Sequence, residues 1–274
     1  MRLLAISDIH NNLVAVRRMR ASEKNDFDAV VVAGDLGNAG AAEVLKILAT
    51  FQCPVVHVYG NWDGELPYET ALAPGTSLIH LNVATIDGLH FTGFSGCPTK
   101  WGRNPAALKI GNQPDADAKI LQQNRNALKK VIASSKLDPR RTVIVTHERL
   151  ARLGEIAASP LLHLYGHTHG FSQRLSGETH FVNVSVLDKP VTARPRRKDP
   201  WTRDDLRNFN AGTYTIIEIS LPDSVTIKSV TLPHDYPEWI ALEDRRHNGI
   251  DWIAEEQEWT DPADPRLARY QQSF

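Results

Sequence analysis

Three apolar runs in the first sixty residues each end in polar residues that can bind metals. Residues 3–6, 28–33 and 54–59 are rich in branched aliphatic side chains, which is typical of strands buried on both faces. Helical patterns follow the first two runs, so the order predicts strand–helix units around a parallel sheet. Ligands bind at the carboxyl ends of such strands. The side chains expected there are Asp8, His10, Asp35 and Asn61.

The rest of the chain predicts antiparallel structure. Asp87-Gly88 lies between two apolar runs, 83–86 and 89–94, and is a typical two-residue hairpin turn. We expect a long loop over 95–114, a helix over 115–135, and a second hairpin turning at Ser176-Gly177. Further strands are predicted at 141–145, 161–165, 181–184, 213–219 and 225–232.

Two of these later strands again end in imidazoles. His147 follows the strand at 141–145, and His167 and His169 follow the strand at 161–165. With the earlier four residues, the strand ends supply two carboxylates, one amide and four imidazoles. One ion cannot use seven such ligands, but two adjacent ions can if a carboxylate bridges them. Imidazole and carboxylate favour manganese, iron or zinc over magnesium, and a cationic centre of this kind favours a phosphate oxyanion.

The motifs resemble those of the calcineurin-like metallophosphoesterase superfamily. The matching blocks are Asp8-Ile9-His10, Gly34-Asp35, Gly60-Asn61-X-Asp63, Thr146-His147 and Gly166-His167-Thr168-His169. The resemblance covers roughly residues 1–190 and implies a two-sheet β-sandwich flanked by helices, a four-layer αββα arrangement of the α/β class. It also implies that Asp8, His10 and His169 hold one metal, that Asn61, His147 and His167 hold the other, and that Asp35 bridges them. A metal-bridging hydroxide would be the nucleophile.

One position departs from that pattern. Many members of the superfamily have histidine directly after the asparagine, where it protonates the leaving oxygen, but this chain has Trp62. An indole cannot act as a general acid near neutral pH, so good leaving groups and phosphodiesters are expected to be favoured. Asn61 and Asp63 are candidate catalytic residues, although Asp63 lacks its usual neighbour. Trp62 is a candidate for stacking on substrate, or else packs against the loop.

Two further asparagines are candidates for substrate binding. Asn12 and Asn38 lie close to the predicted ligand blocks, although either could instead cap a helix or turn. Five other histidines fall in strand-like runs and are interpreted as packing or surface residues; they are His57, His80, His90, His163 and His180.

Composition restricts the class of protein. The 274 residues are 42% hydrophobic and 23% charged, with a formal net charge of −1, so the whole chain is not drawn to nucleic acid or anionic membrane. Cys53 and Cys97 are the two cysteines, which excludes a disulfide scaffold and favours a reducing compartment. No apolar run is long enough to span a membrane, and no signal peptide is recognisable, so a cytoplasmic protein is expected.

Two segments differ from the rest. Residues 189–207 contain seven basic residues. This composition favours a solvated loop, and binding to nucleic acid or to an anionic substrate is the alternative. Residues 233–274 form an acidic, tryptophan-containing extension, expected to pack on the preceding domain (residues 1–232) or on a partner subunit.

The sequence therefore predicts a dinuclear metal-dependent phosphoesterase that acts on a small phosphoester or nucleotide, with diesters favoured over monoesters. A nuclease with the same centre and a non-catalytic scaffold on the same fold are the alternatives. A homo-oligomer is possible.

Overall fold

Two six-stranded sheets lie face to face in the computed structural model, which describes residues 1–24, 26–184, 186–188, 212–220 and 224–232. Within these residues the strands are β1 Arg2–Ile6, β2 Ala29–Ala33, β3 Val55–Val58, β4 Thr76–Leu78, β5 Val83–Ile86, β6 Leu89–Phe94, β7 Thr142–Thr146, β8 Leu162–Tyr165, β9 Ser172–Ser176, β10 Thr179–Asn183, β11 Thr213–Ser220 and β12 Ser224–Thr231. The α-helices are α1 Leu13–Ser22, α2 Ala41–Ala49, α3 Pro105–Ile110 and α4 Ala116–Ser134.

The first sheet has the order β12-β11-β1-β2-β3-β4. Strands β1 to β4 are parallel, with Leu3 opposite Ala29 and Val30 opposite Val55, and β11 joins the edge of β1 antiparallel. The parallel register places the carboxyl ends of β1, β2 and β3 side by side. The sequence predicted β1 to β3 but missed the three-residue β4, which is too short to show a periodic pattern.

The second sheet, β5-β6-β7-β8-β10-β9, is antiparallel only at its two outer pairs. Its central strands β6, β7, β8 and β10 are parallel. The prediction of an antiparallel second half was therefore wrong at the centre of this sheet. The connection between β6 and β7 contains α3 and α4, and such a helical crossover brings the chain back in the same direction.

The segment predicted as one long loop contains α3. The Asn104 side chain caps this helix by accepting the Ala106 N–H at 2.9 Å, and Pro105 occupies its first turn. Asparagine followed by proline is a helix-start signal that a loop assignment overlooked. The later hairpin turns at Gly177-Glu178, one residue beyond the predicted turn, because Ser176 pairs with Thr179.

Three apolar clusters separate the four layers. Leu3, Val31 and Val145 belong to the core between the sheets. Helices α1 and α2 cover the outer face of the first sheet through residues such as Val16 and Leu45, and α3 and α4 cover the second. The predicted helix-flanked two-sheet sandwich is thus confirmed.

The described residues include no helix long and apolar enough to cross a membrane. The basic segment 189–207 and the extension 233–274 lie outside the described residues, so their predicted roles and the domain boundary after residue 232 remain predictions.

Candidate metal centre

The carboxyl ends of five strands, three from one sheet and two from the other, meet at one edge of the sandwich. The Nδ1 atom of His147, after β7, lies 2.9 Å from the carbonyl oxygen of Ala33 in β2. The backbone N–H of His167, after β8, donates to the carboxylate of Asp8, after β1, at 3.0 Å. Side-chain and backbone contacts across the sheets therefore bring together the seven residues predicted as metal ligands.

Tight backbone turns aim these side chains at one another. Five of the seven have positive φ angles between 49° and 70°, which are uncommon for residues other than glycine. They are Asp8, His10, Asp35, His167 and His169. Strained backbone of this kind persists where the surrounding contacts fix it, and it concentrates at functional sites.

Two glycines allow the loops after β2 and β3 to approach the site closely. A Cβ atom on Gly60 would lie 2.1 Å from the Asp35 Oδ1 atom. A Cβ atom on Gly34, whose φ is +92°, would lie 2.6 Å from the Nδ1 atom of His147. Any side chain at either position would displace a predicted ligand.

Asp35 lies at the middle of the cluster. Its Oδ2 atom is 3.2 Å from the Nε2 atom of His10 and also 3.2 Å from the Nε2 atom of His147. Its Oδ1 atom accepts the backbone N–H of Trp62 at 2.8 Å, which fixes the carboxylate plane. One carboxylate oxygen thus faces ligands from both predicted metal sites.

The other ring nitrogens of these two histidines have partners elsewhere. The Nδ1 atom of His147 donates to the Ala33 carbonyl, and the Nδ1 atom of His10 lies 3.0 Å from the Oδ2 atom of Asp188. With one proton held on Nδ1, the Nε2 atom of each ring faces the Asp35 carboxylate, and in a neutral ring this nitrogen would present a lone pair to it. Lone pairs converging on a carboxylate oxygen need a proton or a cation between them.

The pKa shifts in the cluster also indicate that a proton or a cation is favoured between these side chains. Burial opposes a charge on His147, but Asp35 outweighs it and raises the pKa of His147 to about 10. The pKa of His10 is likewise raised against burial, because Asp188 and Asp35 hydrogen-bond its ring. Burial raises the pKa of Asp35, yet His147 and His10 lower it overall. The buried carboxylates therefore favour positive charge between these side chains.

The residues form two adjacent donor groups. In one group, ligand atoms of Asp8, His10 and His169 lie within 4.8 Å of one another, and the Nε2 atom of His169 is 3.3 Å from the Asp8 Oδ1 atom. In the other, the Asn61 Oδ1 atom is 2.9 Å from the Nε2 atom of His147 and 3.1 Å from the Nδ1 atom of His167.

The separation of the two imidazole nitrogens in the second group fits the donor spacing of a metal site. The Nε2 atom of His147 and the Nδ1 atom of His167 are 3.3 Å apart. Two nitrogens bound to one zinc ion at about 2.0–2.1 Å in a tetrahedral site are roughly 3.3–3.4 Å apart. The donor set and its spacing thus fit two divalent cations that share Asp35.

Asp63 connects the loops after β2 and β3, and the catalytic role expected for it stays a prediction. The carboxylate is buried and accepts the backbone N–H groups of Gly60 at 2.8 Å, Leu36 at 3.2 Å and Gly37 at 2.7 Å. Burial and the charge of Asp35 raise the pKa of Asp63 to about 6, although the Gly60 and Gly37 amides lower it. Asp63 joins the loops after β2 and β3, which carry Asp35 and Asn61.

The three residues expected to bind substrate have different surroundings. Asn12 is 3% exposed; it caps α1 by accepting the Ala15 N–H and donates to Asp188, and its contact with substrate stays a prediction. The Oδ1 atom of Asn38 accepts the N–H of Glu65, so Asn38 connects two loops. Trp62 is half-buried, and its ring centroid lies 5.3 Å from that of His10, which places the indole at the metal centre.

Two residues at the site were missed by sequence reasoning. Asp188 follows β10 and hydrogen-bonds the ring of His10, but no local motif marks it. Cys97 follows β6, and its Sγ atom belongs to a group of possible metal ligands with His147 and His167. Its position after a strand was the available signal, because the other predicted ligands also follow strands. His57, His80 and His163 are buried packing residues, as expected.

Family comparison agrees with this geometry. The model of the calcineurin-like phosphoesterase superfamily domain matches residues 1–197, and the chain therefore belongs to that superfamily. Its members are generally phosphoester hydrolases that bind divalent metals, although some are scaffolds. No curated protein sequence matches the chain significantly.

Solved structures match the chain at low sequence identity, and the first of these shares its fold with a TM-score above 0.5. The protein TT1561 of Thermus thermophilus is 14% identical, with a TM-score of 0.54 over 85% of this chain and 99% of that protein. Phosphopantetheinyl hydrolase from Mycobacterium tuberculosis is 18% identical, with a TM-score of 0.44 over 67% of this chain and 88% of its own. An archaeal phosphodiesterase is 13% identical, with a TM-score of 0.42 over 84% and 100% of the respective chains.

Proposed function

We propose that this protein is a dinuclear metal-dependent phosphoester hydrolase that favours phosphodiesters over phosphomonoesters. Its substrate class is a small phosphoester or nucleotide. The metals are manganese, iron or zinc, because four of the seven proposed ligands are imidazoles and only two are carboxylates.

The observation that supports this proposal best is the position of the Asp35 Oδ2 atom, 3.2 Å from the Nε2 atoms of both His10 and His147. Each histidine has its Nδ1 atom engaged elsewhere, so each can offer only Nε2 to a cation. A carboxylate placed between two such nitrogens is suited to bridge two ions. Bound divalent cations would supply Lewis-acid stabilisation of phosphoryl oxygens and activation of water.

The protein's own residues favour diester substrates with good leaving groups. Trp62 places an indole beside His10, and an indole cannot donate a proton to a departing oxygen near neutral pH. Asn61 contributes an amide oxygen to the group with His147 and His167, and its amide cannot act as a general acid. A leaving group with a low pKa needs no such proton.

Nitrophenyl phosphate monoesters and diesters with added manganese test the proposal. We expect turnover of diesters to exceed that of monoesters, and Asp35→Asn to lower diester turnover by about 100-fold or more through weakened binding of both ions. His10→Ala should mainly remove one ion, as elemental analysis would show. Asp26→Asn, an exposed change beside Arg2, is the control for loss of a carboxylate.

The alternatives give different results in the same experiments. Bound metal without turnover of any ester would contradict the hydrolase and favour a scaffold. Metal content equal in wild type and Asp35→Asn would contradict the bridging role. The basic segment on which a nuclease would depend lies outside the described residues, so salt-dependent cleavage of single-stranded DNA or RNA is its separate test.

A further inference from the structure

Cys97 lies buried against the second donor group, where the superfamily motifs supply no residue. The side chain is 1% exposed, and its thiol donates a hydrogen bond to the Asn61 Oδ1 atom with a separation of 3.6 Å. The Sγ atom and ring nitrogens of His147 and His167 all lie within 4.8 Å of one another. A thiol, two imidazoles and an amide oxygen therefore converge on one small volume.

The backbone holds this thiol in place. The N–H of Gly96 donates to the carbonyl of Tyr59 at 2.8 Å, which ties the loop after β6 to the end of β3. The N–H of Lys100 donates to the Cys97 carbonyl at 3.0 Å and closes a turn. Thr99 places its hydroxyl 2.9 Å from the sulfur, where it can donate to a thiolate. A ligand needs such fixed positioning and such an outer hydrogen bond.

The spacing matches ligation. A sulfur at about 2.3 Å and an oxygen at about 2.0–2.2 Å from one zinc ion, separated by an angle of about 110°, are roughly 3.5–3.7 Å apart. The separation of 3.6 Å between Cys97 and Asn61 falls within that range. The separation of 3.3 Å between the two histidine nitrogens of the group also fits.

We propose that Cys97 is a thiolate ligand of the ion held by Asn61, His147 and His167. This inference rests on the dinuclear centre proposed above and adds to it a preference for a thiophilic metal at one site. Thiolates favour zinc or iron over manganese and magnesium, so the two sites differ in metal selectivity. The site with Asp8, His10 and His169 lacks sulfur among its proposed ligands and has no such preference.

Cobalt substitution tests the proposal without measuring activity. Cobalt bound to thiolate gives a near-ultraviolet charge-transfer band, whereas cobalt bound only by nitrogen and oxygen does not. Metal-free protein is titrated with Co²⁺ under anaerobic conditions, in wild type, Cys53→Ser and Cys97→Ser. Cys53 precedes β3, at the opposite end of that strand from Asn61, so Cys53→Ser is the matched control.

We expect the charge-transfer band in wild type and in Cys53→Ser, in which Cys97 is the single thiol. The band should be absent in Cys97→Ser, with zinc affinity lowered about tenfold or more and manganese affinity changed much less. Two bound cobalt ions without the band in Cys53→Ser would overturn the role of Cys97 alone. That result stands even if Cys97→Ser does not fold. Failure to bind any cobalt would overturn the dinuclear centre as well.

Discussion

Individual residues behind the proposed ligands decide which ring nitrogen faces a metal. Asp188 illustrates this: its Oδ2 atom is 3.0 Å from the Nδ1 atom of His10, and its Oδ1 atom accepts the Asn12 amide N–H at 3.0 Å. The Asp188 backbone N–H also donates to the carbonyl of Asp8 at 2.9 Å. Asp188 therefore fixes the ring orientation of His10 and the backbone of Asp8 together.

We predict that Asp188→Asn weakens one metal site about 10- to 100-fold, which is the usual effect of losing a carboxylate behind a ligating histidine. The asparagine has no charge to hold the proton on Nδ1, so Nε2 is less available for the ion shared with Asp8 and His169. Calorimetric titration with manganese would resolve the two sites. Asp117→Asn, which perturbs the hydrogen bond from the Trp101 indole, is the control. Two unchanged affinities would contradict this role.

The side chain of Trp62 can be changed without losing its backbone contact with Asp35, because the Trp62 N–H makes that bond. We predict that Trp62→His increases turnover of phenyl phosphate, a monoester with a poor leaving group, by about tenfold or more, since general acids contribute about 10²–10⁴. Turnover of p-nitrophenyl diesters should change little. Trp62→Phe, which keeps an aromatic ring beside His10, should not show the increase. A flat monoester rate would contradict the missing-acid explanation.

The residues at strand ends were predictable for a physical reason. The carboxyl ends of the parallel strands β1, β2 and β3 share one edge of the sheet, which brings Asp8, His10, Asp35 and Asn61 together, and turns with positive φ at the first three residues aim their side chains. Asp188 was missed because no local motif marks it, and Cys97 was missed although its position after a strand was an available signal. The loop-joining role of Asp63 arises from three backbone N–H groups, which no side-chain motif encodes.

At the scale of elements, the loops after β2 and β3 are held together by the Asp63 carboxylate. Asparagine at this position offers one acceptor atom and a competing N–H₂ group, so at least one backbone N–H would lose its partner. We predict that Asp63→Asn lowers the free energy of unfolding by about 1–3 kcal/mol. It should also reduce bound metal, because Asp35 and Asn61 lie on these loops.

Urea denaturation of the metal-free protein and elemental analysis would measure the two effects of Asp63→Asn separately. Asp138→Asn, at an exposed turn where the side chain accepts the Arg140 N–H, is the matched control. Full metal content together with lost stability would show that Asp63 supports the fold and not the site.

The elements differed in how well their patterns predicted them. Strands β1 to β3 and helix α4 have long, uniform patterns and were predicted to within a few residues. The direction of the strands in the second sheet was predicted wrongly, because antiparallel and parallel strands share one apolar pattern when both faces are covered. The direction of each central strand depends on its connection to its neighbour, such as the crossover through α3 and α4 between β6 and β7.

Across the whole molecule, the four layers also bury histidines that are not among the proposed ligands. His57 lies in β3, and neither of its ring nitrogens has a hydrogen-bond partner among the described residues. Burial lowers the pKa of His57 to about 3, and burial together with the charge of Arg149 lowers that of His163 to about 3. Both rings therefore stay neutral in the folded protein well below pH 6.5.

This burial predicts a loss of stability in acid. Below pH 6.5 the unfolded chain protonates each histidine while the folded protein does not, so the free energy of unfolding falls by about 1.4 kcal/mol per pH unit per histidine until about pH 3. His57→Leu should therefore lose about 2 kcal/mol less than wild type between pH 7 and pH 5. Thr92→Val, which removes another buried unpartnered polar atom but nothing titratable, should keep the wild-type pH dependence. Urea denaturation at both pH values measures the difference, and equal losses in wild type and His57→Leu would show that the folded protein protonates His57 in this range.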